Sequence, residues 1–159
     1  MVKKTKKTGI EEYDYERINW FPGHMNKATQ EIKKKIKLVD IILEVRDART
    51  PLASGNKENY QSHANNPYLI VINKTNLADP QTVKLWESWF TEQKEIFIFI
   101  NALDKKSIQK IVKRSKEIIH THRLKSNKNV KLKTKMKMMI LGLPNTGKST
   151  IINMLANRN

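Results

Sequence analysis

The sequence predicts an α/β fold, a mostly parallel sheet with helices on both faces. Three observations carry that prediction. Four short runs are near-continuously apolar, as strands buried between two helical layers must be. Segments of helical spacing alternate with them, the chain order from which a parallel sheet is wound. Each run also breaks off into a polar motif, and in such sheets ligands gather beyond the carboxyl ends of the strands.

The elements follow in order. Residues 1–19 are polar and rich in Lys, Glu and Tyr, which predicts a basic flexible tail entering a single domain, 20–159, near Trp20. Asn26–Leu38 places Ala28, Ile32, Ile36 and Leu38 at helical spacing opposite Lys27, Lys33, Lys34 and Lys37. Val39–Val45 is the first strand, ending in Arg46-Asp47-Ala48-Arg49-Thr50-Pro51. Tyr68–Ile72 is the second, ending in Asn73-Lys74-Thr75-Asn76 and followed by a helix over Gln81–Gln93. Ile96–Ile100 is the third, ending in Asn101-Ala102-Leu103, with a helix over Lys105–His122 behind it. His122–Lys135 is lysine-rich without periodicity and reads as a solvated linker. Met136–Leu141 is the fourth strand, and Ser149–Ala156 the last helix.

With 159 residues, 38% hydrophobic and 29% charged, the chain can bury one core and is too polar for a membrane protein. No apolar run reaches transmembrane length and no signal pattern follows the N-terminus, so no membrane partner is expected. The absence of cysteine excludes disulfides and thiolate sites and suits the cytoplasm. Thirty-one Lys and Arg against fifteen Asp and Glu leave +16. The excess is concentrated, since Lys105–Lys137 holds thirteen basic residues against the single acid Glu117, and Lys3, Lys4, Lys6 and Lys7 add a basic tail. Such a field attracts polyphosphates, and RNA is the favoured partner; a merely solvated lysine surface is the alternative.

Gly142-Leu143-Pro144-Asn145-Thr146-Gly147-Lys148-Ser149 matches the P-loop pattern G-x-x-x-x-G-K-[ST] in full. Its glycines allow backbone N–H groups to turn inward around a β-phosphate. Lys148 supplies a cation to the β- and γ-phosphates, and the Ser149 hydroxyl is a suitable Mg²⁺ ligand. Thr146, Gly147 and Thr150 complete the phosphate-binding run, whose helix dipole adds to the anion site. Asn73-Lys74-Thr75-Asn76 sits at a strand end like the N-K-x-D motif that reads guanine. There the Asn braces the loop, the Lys stem lies over the base and the final carboxylate accepts from two guanine N–H groups. Here Asn76 replaces that carboxylate with an amide, one acceptor and one donor, which weakens guanine preference and can favour a base with a carbonyl instead of the exocyclic amine. A capped turn ahead of the helix at Pro80 is the alternative reading. Asn101 and Ala102 lie where a third loop would close on the base through backbone N–H groups.

With the base motif ahead of the P-loop, the reverse of the Ras-like order, the chain resembles the circularly permuted GTPases of the ribosome biogenesis GTPase A family. Trp20-Phe21-Pro22-Gly23-His24-Met25, Asp47-Ala48-Arg49-Thr50-Pro51 and Pro144–Ser149 resemble its motifs, and the likeness runs from Trp20 to Asn159. The resemblance implies a GTPase cycling between GTP and GDP with Mg²⁺ while the large ribosomal subunit precursor matures, its nucleotide state gating rRNA binding. It implies that His24 replaces the usual water-positioning glutamine, and that Asn145 helps hold a K⁺ ion beside the phosphates. A neutral imidazole, with an ordinary pKa near 6.5, suits the orienting of an attacking water at His24. The family continues past the P-loop helix into a switch segment, a D-x-P-G strand end and a helical C-terminal domain. The expected object is therefore a C-terminally incomplete domain with weak nucleotide binding and little hydrolysis. Two other functions fit part of the pattern: a non-hydrolysing RNA-binding fragment with a relic nucleotide site, and an ATP-binding protein. The oligomeric state stays open.

Overall fold

The computed structural model describes residues 34–55, 66–126 and 136–156. The tail 1–19, the Trp20–Met25 segment with His24, most of the Asn26–Leu38 helix and residues 127–135 of the expected linker lie outside the described residues. Of that first helix, residues 34–36 are helical and Ile36 is buried, whereas Leu38, expected on its apolar side, is exposed in the turn that follows.

Four parallel strands make the sheet: β1 (Ile41–Asp47), β2 (Tyr68–Asn73), β3 (Phe97–Phe99) and β4 (Met138–Leu141), in the spatial order β3-β2-β1-β4. Helix α1 (Pro80–Glu92) joins β2 to β3, α2 (Lys105–Lys125) joins β3 to β4, and α3 (Lys148–Ala156) follows β4. The order has a physical consequence. The chain steps outward from β1 to β3, then returns across the sheet to the far side of β1. Right-handed crossovers made in opposite directions put their helices on opposite faces. Accordingly α1 packs its Phe90 against Ala48, Ile70 and Ile72, flanked by Trp86, Trp89, Phe97 and Phe99. Helix α2 packs Ile108, Ile111, Ile118 and Ile119 against Ile41, Leu43, Val45, Leu69 and Val71 on the other face, joined by Ile151 of α3.

The two tryptophans are thus packing residues, edge-to-face with ring centroids 5.9 Å apart. Helix starts are fixed by side chains. Asp79 accepts from Thr82 N–H at 2.8 Å ahead of Pro80, and Asp104 accepts from Lys106 and Ser107 N–H at 3.0 and 3.1 Å.

Some boundaries differ from the expectation for identifiable reasons. Strand β1 runs on through Arg46 and Asp47, because the ladder to β2 continues as Arg46 opposite Ile72 and Asp47 opposite Asn73. The third strand shrinks to Phe97–Phe99, although Ile96 and Ile100 still bond to β2 through their backbones. The fourth begins at Met138, and the last helix one residue early, at Lys148. The expected linker is corrected at its start: His122–Lys125 belong to α2. Their charges complement the helix's C-terminal dipole, and Arg123 is anchored to Asp40 at 2.8 Å.

Candidate functional site

Pairing of Asp47 with Asn73 brings the carboxyl ends of β1 and β2 level, and the loop after β4 rises beside them. The strand order reverses between β1 and β4, a switch point of the kind where folds of this type form a ligand crevice, and the phosphate-loop sequence follows β4 there.

Asn73 ties three loops together. Its side chain is buried; the amide donates to Thr146 O at 3.0 Å and its oxygen accepts from Ala102 N–H at 2.9 Å. One residue at the end of β2 therefore holds both the phosphate loop and the loop after β3. Thr75 N–H adds a bond to Ile100 O at 3.1 Å. Close approach of Asn73 depends on Gly147, whose φ is +99° and whose missing Cβ would stand 2.2 Å from the Asn73 amide nitrogen.

Lys74 takes a left-handed conformation, φ 67°, which turns its stem back across the crevice. Its ammonium donates to Asp47 Oδ2 at 3.0 Å and to the Asn145 carbonyl. Asp47 in turn receives Arg49 in a fork, Nε to Oδ1 at 2.9 Å and Nη2 to Oδ2 at 2.7 Å, as well as Arg49 N–H at 3.0 Å. Hydrogen bonding from Arg49, helped by Lys74 and opposed by burial, holds the Asp47 carboxyl well below the usual carboxylate range. That shift has a sign: the stabilisation is complete above the unfolded value of 3.8 and is lost as pH falls below it. In urea titrations, Asp47→Asn should therefore lie below the parent in stability at neutral pH. The gap should close in acid below about pH 3.8; a pH-independent gap would mean that the charge contributes nothing.

Within the phosphate loop, Gly142 (φ 146°) and Gly147 carry backbone that L side chains rarely adopt, and Asn145 sits left-handed at φ 62°. Buried Thr146 fastens the turn through its hydroxyl to Leu143 O at 2.9 Å; Lys148 Nζ reaches the same carbonyl at 2.7 Å. Asn145 and Ser149 are exposed at the mouth, and Thr150 is half-buried in the first turn of α3.

Of the residues singled out from the sequence, Asn73, Lys74, Ala102, Asn145, Thr146, Gly147 and Lys148 converge. Thr75 and Asn101 flank them, the latter accepting from Leu103 N–H at 3.1 Å. Asn76 stands exposed on the 3₁₀ turn Thr75–Leu77. Sequence reasoning gave Asp47 no role, although its place at a strand end next to Asn73 was a usable signal.

The fold and the loop sequences define a class: an α/β domain of the P-loop type in which the Asn73–Asn76 motif precedes the Gly142–Ser149 loop. Similar proteins narrow it. The chain is 41% identical over 144 residues to ribosome biogenesis GTPase A of Bacillus pumilus, covering 89% of this chain and 50% of that protein. It is 36% identical over 158 residues to the mitochondrial protein Short integuments 2 of Arabidopsis thaliana, covering 96% of this chain and 39% of that one. Among solved structures, GNP-bound YlqF from T. maritima superposes with a TM-score of 0.60 at 29% identity, covering 84% of this chain and 49% of that one. No family profile matches the chain. The chain belongs to the circularly permuted GTPases of the ribosome biogenesis GTPase A family. It spans about half the length of the curated relatives it matches.

Proposed function

We propose that this chain forms the nucleotide-binding part of a cytoplasmic GTPase that acts in maturation of the large ribosomal subunit. The observation that carries the reading is Asn73, which couples the base loop to the phosphate loop with both ends of one buried amide. In this reading Gly147, Thr146 and Thr150 cradle the phosphates, Lys148 swings from Leu143 O onto them, and Lys74 lies along the base with Thr75, Asn101 and Ala102 at its rim. The exposed Ser149 hydroxyl would hold Mg²⁺. Asn145, left-handed at the mouth, suits K⁺. A bound metal neutralises charge developing between the β- and γ-phosphates. His24, in the proposed domain 20–159, orients the attacking water; residues 1–19 serve as a basic tail.

For the partner, the outward face of α2 supports rRNA. Lys106, Lys110, Lys113 and Lys116 are exposed there, and the helix's one acid, Glu117, is paired with Arg114 at 3.1 Å. Phosphates meeting this face would release counterions, so affinity should fall steeply with salt. No described helix is long and apolar enough to cross a membrane.

The test is GTP turnover in potassium buffer with and without large-subunit precursor, for the parent chain and His24→Ala. Loss of a water-positioning base should lower turnover about 100-fold or more. Equal turnover would remove His24 from the mechanism. RNA binding indifferent to added nucleotide, with no turnover in either chain, would instead favour a non-hydrolysing RNA-binding module.

A further inference from the structure

We propose that Asn76 re-tunes the base pocket toward a purine bearing a carbonyl at its 2-position, so that xanthine nucleotides bind this chain more tightly than guanine nucleotides. The inference rests on the reading of the crevice as a nucleotide site.

The scaffold around Asn76 is intact. Asn73 keeps both bonds, Lys74 keeps its left-handed turn, and the following 3₁₀ turn is closed by Leu77 N–H to Lys74 O at 2.9 Å. A site decaying into a relic would be expected to lose such cross-loop contacts; here only the chemistry of one exposed side chain differs. Asn76 makes no hydrogen bond to another described residue, so both ends of its amide are available to a ligand.

Those two ends are unlike. A carboxylate accepts twice and so meets guanine, which presents N1–H and an exocyclic amine, both donors. An amide accepts at its oxygen and donates at its nitrogen. Against guanine the oxygen takes N1–H, but the two NH₂ groups face each other donor to donor. Against xanthine the oxygen takes N1–H and the NH₂ donates to the 2-carbonyl, so every group is paired.

Among the described residues no neighbouring carboxylate restores the missing charge. Asp47 is held by Arg49 and Lys74, Asp79 caps α1 through Thr82, and Asp104 caps α2 through Lys106 and Ser107. These are the described acids nearest in sequence to the loops after β1, β2 and β3, and each already accepts hydrogen bonds from described residues. The selectivity therefore falls to Asn76.

The experiment is displacement of ribose-labelled fluorescent XDP by unlabelled XDP, IDP, GDP and ADP in Mg²⁺ and potassium, for the parent chain and Asn76→Asp. IDP has no 2-substituent and so removes the clash without supplying the new bond. The parent should rank XDP, then IDP, then GDP, with about ten-fold between the extremes, the size expected for one mismatched hydrogen bond. Asn76→Asp, a change at an exposed position that leaves the fold in place, should reverse the order, the label then being fluorescent GDP. A parent chain that prefers GDP overturns the inference and leaves the nucleotide site standing. If neither labelled XDP nor labelled GDP binds the parent, or ADP displaces best, the reading of the site itself fails and the inference with it.

Discussion

Replacing Gly147 with alanine is expected to lower nucleotide affinity at least about 100-fold, which corresponds to about 2.7 kcal/mol of binding. Two costs combine. The φ of +99° strains any L side chain there, and the new Cβ would lie 2.2 Å from the Asn73 amide nitrogen. Asn73 cannot swing aside freely. It is 2% exposed, and leaving would strand the Ala102 N–H and the Thr146 carbonyl, each costing about 1–3 kcal/mol when buried without a partner. A loss of folding stability on the order of 3 kcal/mol should accompany the loss of binding. Double-mutant analysis separates this account from simple glycine strain. Asn73→Ala removes the obstructing amide, so Asn73→Ala with Gly147→Ala should cost clearly less than the sum of the single changes. Strict additivity, read from urea unfolding, would show that the two positions do not communicate.

What the sequence revealed was whatever is local. A strand buried on both faces needs a continuous apolar run, and a phosphate loop needs glycines at fixed intervals; both constraints are written over a few adjacent residues. Hence β1 to β4 and the Gly142–Ser149 loop were legible. The contacts that make a site of them are not periodic. Asn73 meets Thr146, Lys74 meets Asp47, and Asp40 meets both Arg123 and the Lys137 N–H, all across long stretches of chain. Composition misled at the end of α2, where the lysine-rich run suggested a solvated linker. Lys and Arg are good helix formers, and the Arg123–Asp40 anchor decides the last turn. The amide at Asn76 in place of a carboxylate was legible from the motif alone. That its neighbours keep the loop's geometry, and that the nearest described acids are already paired, needed the structure.

The first strand also buries a charge on its α1 face, and its removal is the second large effect. Glu44 points into the α1 side of the sheet at 0% exposure and pairs with Arg46 Nη2 at 2.8 Å. The Tyr68 hydroxyl donates to the same carboxylate; burial, then the Glu44 charge, pushes the phenol well above its ordinary pKa, so it remains a donor. Arg46 carries the network onward. Its guanidinium lies 5.9 Å from the Phe90 ring centre, reaches the Pro51 carbonyl at 3.4 Å, and would stand 2.7 Å from a Cβ at Gly55. The loop after Asp47 thus rests on a buried cation, and that loop carries Arg49, which holds Asp47 against Lys74. Glu44→Ala removes one half of this buried ion pair and should cost about 3–5 kcal/mol. Replacing both partners with apolar residues, Glu44→Leu with Arg46→Met, should restore most of that stability, because desolvation of a buried pair commonly offsets its attraction. The double change nevertheless removes the support under Pro51 and Gly55. Stability should therefore recover while nucleotide affinity does not, a split read by urea unfolding beside displacement of labelled nucleotide. If affinity returns together with stability, the pair serves the core alone and the loop holds its shape without it.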